Sequence, residues 1–136
     1  MKAGAVPVLL LLLSSQAHAQ SSELTLDCRY NSYLDGKKDR EQKMSGGFSA
    51  IVKMQNEKGG TSSATVQATT TWCFDFEGTF NDLQVHGECE RTIGSAEKVT
   101  ATITINRITG EFDNTIIRGK SYEVFTGQCT PAKKIF

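Results

Sequence analysis

The chain has 136 residues, four cysteines, and 15 basic against 15 acidic side chains, a formal net charge of zero. That length suits one domain, and the charge balance gives no global field toward nucleic acid or anionic lipid. The class of partner must therefore be read from local pattern.

Residues 1–19 read as a signal peptide. Lys2 supplies a positive start, Ala5 to Leu13 is an apolar run of nine residues, and Ala17-His18-Ala19 has the small-x-small form of a cleavage site. Nine residues fall well short of the roughly 20 that a spanning helix needs, and no second apolar run follows, so no membrane segment is expected after cleavage. The first cysteine, Cys28, lies beyond Gln20, away from a lipoprotein-type junction. The expectation is a removed leader over 1–19, a single β domain over 20–136, and a periplasmic or secreted location. Loss of Lys2 leaves 14 basic against 15 acidic groups.

From Ser22 onward the apolar period is two. Leu24, Leu26, Cys28 and Tyr30 share one strand face, with Thr25, Asp27 and Arg29 on the other. Residues 31–43, dense in Asp, Lys, Arg and Glu, read as a solvated mobile loop or an irregular helical turn. Phe48, Ala50, Val52 and Met54 alternate again, and the Thr-rich run from Thr61 to Thr71 suits a pleated surface. Farther on, Val99, Ala101, Ile103 and Ile105 alternate with Thr100, Thr102, Thr104 and Asn106. Turn chemistry separates these runs at Asp35-Gly36, Lys58 to Gly60, Gly78 to Asp82, Ile93 to Ser95, Thr109-Gly110 and Arg118 to Lys120. No sustained helical stripe occurs. The predicted fold is all-β, a small antiparallel meander of seven or eight strands closing into a barrel or flattened sandwich.

One stretch conflicts with simple alternation. Trp72, Phe74 and Phe76 would share a face as core aromatics, or as the floor of a ligand pocket, leaving Cys73, Asp75 and Glu77 on the other face. On the next strand Leu83, Val85 and Cys89 would share a face. Pairing apolar with apolar separates the two cysteines; placing Cys73 opposite Cys89 sets the apolar faces against each other. A bulge near Gly78 or Gly87 is one way to satisfy both.

Four cysteines in an exported chain allow three disulfide connectivities. Cys28 with Cys129 is favoured, because both lie on apolar faces of the first and last strands of a closing meander; Cys73 with Cys89 is the companion pair. Zinc is disfavoured, since Cys-x-x-Cys spacing is missing and His86 is the one histidine outside the leader.

Other chemistries are weakly supported. His86, Glu88 and Glu90 point the same way along a strand, but positions two apart stand nearly 7 Å from each other, too spread for compact metal coordination. Asp75 and Glu77 would suit acid/base work on a glycoside only inside a cleft. The sequence lacks a phosphate-binding loop, a dinucleotide fingerprint, an EF-hand loop and a basic-aromatic nucleic-acid signature. The expectation is a non-enzymatic binding or interaction module without a cofactor or a metal. The reading leaves its partner and oligomeric state open.

The C-terminal third carries Ile105-Asn106-Arg107-Ile108-Thr109-Gly110-Glu111-Phe112, then Tyr122, Gly127, Cys129 and a terminal Pro131-Ala132-Lys133-Lys134-Ile135-Phe136. This pattern resembles a group of small exported α-proteobacterial proteins with an Asn-Arg-x-Thr-Gly turn, a Gly-x-Cys strand and a terminal Phe. The resemblance covers about forty residues and implies a periplasmic location and a β-rich fold, without an activity. Thr109-Gly110 suits a tight hairpin, which Arg107 would anchor by bonding turn carbonyls.

The basic, glycine-hinged loop Arg118-Gly119-Lys120-Ser121-Tyr122 is similar in chemistry to the loops of periplasmic c-type lysozyme inhibitors. Those are small disulfide-bearing β-barrels that present a Ser and a Lys to the enzyme's paired carboxylates. That similarity makes Arg118, Lys120, Ser121 and Tyr122 candidate binding residues and gives the second functional reading, a proteinaceous inhibitor of a glycan hydrolase. A carrier of a small apolar ligand is the third.

Overall fold

The computed structural model describes residues 20–57, 60, 62–70, 72–94 and 96–132; residues 1–19, read above as a leader, and the terminal Lys133 to Phe136 lie outside the described residues. Nine strands account for its elements: β1 (Gln20–Asp35), β2 (Arg40–Lys43), β3 (Gly47–Asn56), β4 (Ser62–Ala68), β5 (Asp75–Phe80), β6 (Gln84–Ile93), β7 (Glu97–Asn106), β8 (Glu111–Arg118) and β9 (Ser121–Pro131). Consecutive strands from β3 to β9 pair antiparallel, β1 pairs with β3, and β1 also pairs with β9. The result is a closed eight-stranded barrel, with β2 as an extra strand on the outer half of β1.

The alternation read from the sequence is the alternation of burial. On β3, Phe48, Ala50 and Val52 are buried, and on β7 so are Val99, Ala101, Ile103 and Ile105. Phe76, Ile103, Val52, Val66 and Cys28 are the largest fully enclosed side chains, and alanines at 50, 64, 68 and 101 leave room for them. Large residues set against small ones fill a narrow barrel with side chains. Tyr30, Phe48, Phe112 and Phe125 pack edge to face or tilted, with ring centroids 5.1 to 5.9 Å apart.

The seam between the first and last strands is closed covalently. Cys28 lies directly opposite Cys129 and is bonded to it across 101 residues of sequence. Beside it, Gly127 is inward-facing and tightly boxed: a Cβ there would collide with the Arg29 carbonyl oxygen and the Phe112 ring. A bulge follows between Tyr30 and Ser32.

Residues 31–43 form a hairpin, in place of the loop or helical turn expected from their composition. β1 runs on to Asp35; the Lys38 and Asp39 N–H groups donate to the Asp35 carbonyl, Lys37 N–H donates to Asp35 Oδ1 at 2.9 Å, and β2 returns. Met44 N–H to Asn31 O and Tyr30 N–H to Gly46 O carry the pairing across the break between β2 and β3. β1 stays paired with β9 as far as Asp35, whereas β2 lies at the edge with all four of its residues exposed, so β2 carries charge where a core strand would alternate.

The aromatic conflict is resolved by irregular backbone. β5 begins only at Asp75, so the alternation starts afresh there, and Cys73 reaches Cys89 from the connection ahead of the ladder. That connection is pinned by Ala68 N–H to Phe74 O and Thr70 Oγ1–H to Cys73 O. Phe76, Gly78 and Phe80 then face inward beside Gly87 and Val85 in an unbroken register. The expected common face of three aromatics does not form: Phe76 is in the core, Trp72 is half-buried, and Phe74 is 63% exposed. Leu83 is likewise exposed, in the turn before β6, instead of joining Val85 and Cys89 inside.

Candidate functional site

The barrel has two mouths of opposite chemistry. One is formed by the start of β1, the end of β3, the start of β6, the end of β7 and the end of β9. There the inward-facing positions continue past the packed layers: Leu24 and Leu26, Val52 and Met54, Val85, and Ile105 line a cleft of about 440 Å³. Its lip is the β7–β8 turn with Gln128, Thr130 and Pro131. Ile108, in the middle of that turn, is 73% exposed, and Leu24 is 42% exposed.

The turn itself is rigid. Asn106 Oδ1 accepts from the N–H groups of Ile108 and Thr109, Gly110 N–H returns to Asn106 O, and Cys129 N–H donates to Gly110 O. Gly110 has φ +81°, and a Cβ there would collide with the Cys129 carbonyl oxygen. Arg107, expected to anchor this hairpin, instead anchors the neighbouring β5–β6 connection: its guanidinium donates to Asn81 O, its backbone N–H donates to Leu83 O, and its charge stands 5.4 Å from the Phe80 ring centroid. Asn81 Oδ1 in turn accepts from Leu83 and Gln84 N–H, so the two turns are braced together.

The opposite mouth is polar, with a cleft of about 470 Å³ bordered by Asp35, Glu97, Arg118, Ser121, Tyr122 and Glu123. Arg118 Nε donates to Glu97 Oε1 at 3.0 Å, and its guanidinium lies over Trp72 at 4.9 Å. Arg91 donates to Trp72 O. Tyr33 donates its hydroxyl to Glu123 Oε1 at 2.6 Å; this bond first, then burial and the charges of Glu123 and Asp35, push the phenol up to about 12.

The four expected binding residues therefore separate into two kinds. Arg118 is committed to Glu97 and Trp72, and Ser121 donates to Arg118 O at 2.9 Å. Lys120 is exposed at the tip of the β8–β9 hairpin, with Tyr122 41% exposed beside it and lying against Gly36.

On the outer wall, Asp75 and Glu77 flank inward-facing Phe76 and face solvent. His86 Nε2 lies 3.7 Å from Glu88 Oε1, closer than backbone spacing alone implies, because both side chains lean together; Glu90 pairs with Lys98 Nζ at 2.7 Å instead. His86 Nδ1 is 2.9 Å from Thr104 Oγ1, and Asp113 is next to Thr104 across the ladder. Burial raises the Asp113 carboxyl, partly offset by His86. Among the described residues no three His, Cys, Asp or Glu side chains converge as a metal set.

The apolar mouth is what reading by segment missed. Leu24 and Met54 appear in the sequence as ordinary face positions, and one signal stood apart: Ile108, a large apolar residue inside a polar turn. No family model matches the chain, and neither does any curated protein or solved structure.

Proposed function

We propose that this protein is an exported, non-catalytic binding module whose receptor surface is the apolar mouth of the barrel. The single observation behind the reading is that cleft: its volume falls in the range of small-ligand sites, its floor is aliphatic, and its lip exposes Leu24 and Ile108. The two disulfides, with all four cysteines paired, fit an oxidising compartment. Together with the leader pattern they support a periplasmic or secreted location. The test is titration with N-phenyl-1-naphthylamine, an uncharged fluorophore. Saturable uptake that Ile108→Asp and Leu24→Asp each weaken would support the reading; uptake that never saturates would end it.

A second reading rests on the β8–β9 hairpin. Lys120 is exposed at its tip, next to half-exposed Tyr122, on a scaffold of the size and stapling that c-type lysozyme inhibitors use. An exposed cation on a rigid hairpin complements an acidic cleft. Slowed cell-wall hydrolysis by c-type lysozyme, relieved by Lys120→Ala and by added salt, would support it. Unchanged hydrolysis at large molar excess would remove it.

A further inference from the structure

We propose that the apolar mouth takes a single-chain fatty acid, its alkyl chain in the cleft and its carboxylate on Arg107. The inference rests on the apolar mouth being the receptor surface and adds the ligand's charge. Of the described residues lining the cleft, Arg107 is the one that carries charge, and no carboxylate lies among them. A guanidinium has five N–H donors in a planar fork suited to carboxylate, and the hydrogen bond to Asn81 O uses part of that fork.

The neutral polar groups of the lip are partly occupied within the turn. Asn106 Oδ1 takes the Ile108 and Thr109 amides, Thr109 Oγ1 takes the Glu111 amide, and the Gln128 amide donates to Thr109 O. The charged donor of the lip is thus a single group, Arg107, at one point beside an aliphatic floor. The backbone bond from Arg107 to Leu83 O and the position over Phe80 hold that point in place before a ligand arrives. Preformed placement lowers the ordering cost of binding.

Displacement of N-phenyl-1-naphthylamine by dodecanoate, dodecanol and dodecyltrimethylammonium at equal chain length tests the charge. Dodecanoate is expected to displace at a concentration about fivefold below that of dodecanol, the range of one partly exposed ion pair, with the cation weakest. Arg107→Gln should erase the gap between acid and alcohol when both are measured in that variant, and a gap that persists overturns the role of Arg107. Arg107→Lys should restore part of the gap.

Equal displacement by acid and alcohol overturns the charge inference and leaves the receptor reading intact. Displacement by none of the three overturns both. Deletion of residues 133–136 separates the remaining possibilities. The acid preference should survive it; loss of the preference would assign the selectivity to Lys133 and Lys134 and overturn the role of Arg107. A tenfold gain in fluorophore uptake would make the chain's own end the occupant and equally overturn the proposal.

Discussion

The two mouths are built from the same eight strands and differ in whether their side chains have found partners within the molecule. At the polar mouth Arg118 is claimed by Glu97 and Trp72, Tyr33 by Glu123, and Ser121 by the Arg118 carbonyl. At the apolar mouth Leu24, Met54 and Ile108 line or rim a cleft that nothing from the chain's described residues fills. The lesson is that visible charge is a poor guide to availability. A cation already paired contributes to local order, whereas an aliphatic lip left open to water retains the free energy of being covered.

The largest effect that sharpens this contrast is covalent. Replacing both Cys28 and Cys129 by Ala should cost more stability in denaturant unfolding than replacing Cys73 and Cys89, because the loop-entropy model gives about 4.7 kcal/mol for a loop near 100 residues and about 3 kcal/mol for one near 15. The first pair latches the seam next to the apolar cleft, and the second ties the connection that carries Trp72 at the polar mouth. A reversed ranking would mean that the polar mouth, not the seam, holds the barrel closed.

Next in size is Gly110→Val. A β-branched residue at φ +81°, with the Cys129 carbonyl in its way, should cost about 1–3 kcal/mol and lower Tm by several degrees. Fluorophore uptake should fall with it, since the same turn forms the lip. An unchanged Tm would break the link between turn geometry and cleft.

Arg118→Ala should cost about 1 kcal/mol, the sum of a half-exposed ion pair and one cation–π contact. Trp72 is the single tryptophan, so its emission should shift in this variant and stay fixed when a ligand enters the opposite mouth. A Trp72 response to dodecanoate would merge the two ends into one site.

The smallest effect is alkaline. Tyr33 is raised from 10.0 to about 12 in the folded chain, so the folded form holds its proton where the unfolded form has lost it. The stability from this phenol is complete below pH 10 and declines as pH rises toward 12. Glu123→Gln should bring the tyrosinate absorbance step of Tyr33 to lower pH, and Tyr33→Phe should flatten the decline. A step that stays in place in Glu123→Gln would break the assignment of the hydrogen bond as its main cause.

Much of the barrel was legible in the sequence. β3 and β7 are read directly, because one face meets a filled interior and the other meets water, and that contrast is written into every second residue. The β1–β2 hairpin was illegible for the same reason in reverse, because β2 covers no core and all four of its residues are exposed. Trp72 and Phe74 were misplaced because strand period was extended into a connection pinned by Thr70 and Ala68. The Cys28–Cys129 pair was legible from its faces, whereas the committed state of Arg118 depends on Glu97, 21 residues away and visible only in register. The apolar cleft belongs to the ends of several strands at once, and stagger between strands is a property of pairing that no single segment carries.

The disulfides are nested: Cys73–Cys89 lies wholly inside the span of Cys28–Cys129. If, as proposed, the chain is exported N-terminus first into an oxidising compartment, Cys28 meets oxidant long before Cys129, with Cys73 as the next thiol to emerge. Oxidation in order of arrival would join Cys28 to Cys73 and hold β1 against the wrong neighbour. The native seam therefore requires either that Cys28 stay reduced until β9 has emerged or that a mixed disulfide be reshuffled by thiolate exchange. On the second route, maturation of this barrel would depend on disulfide isomerisation more than on oxidising power.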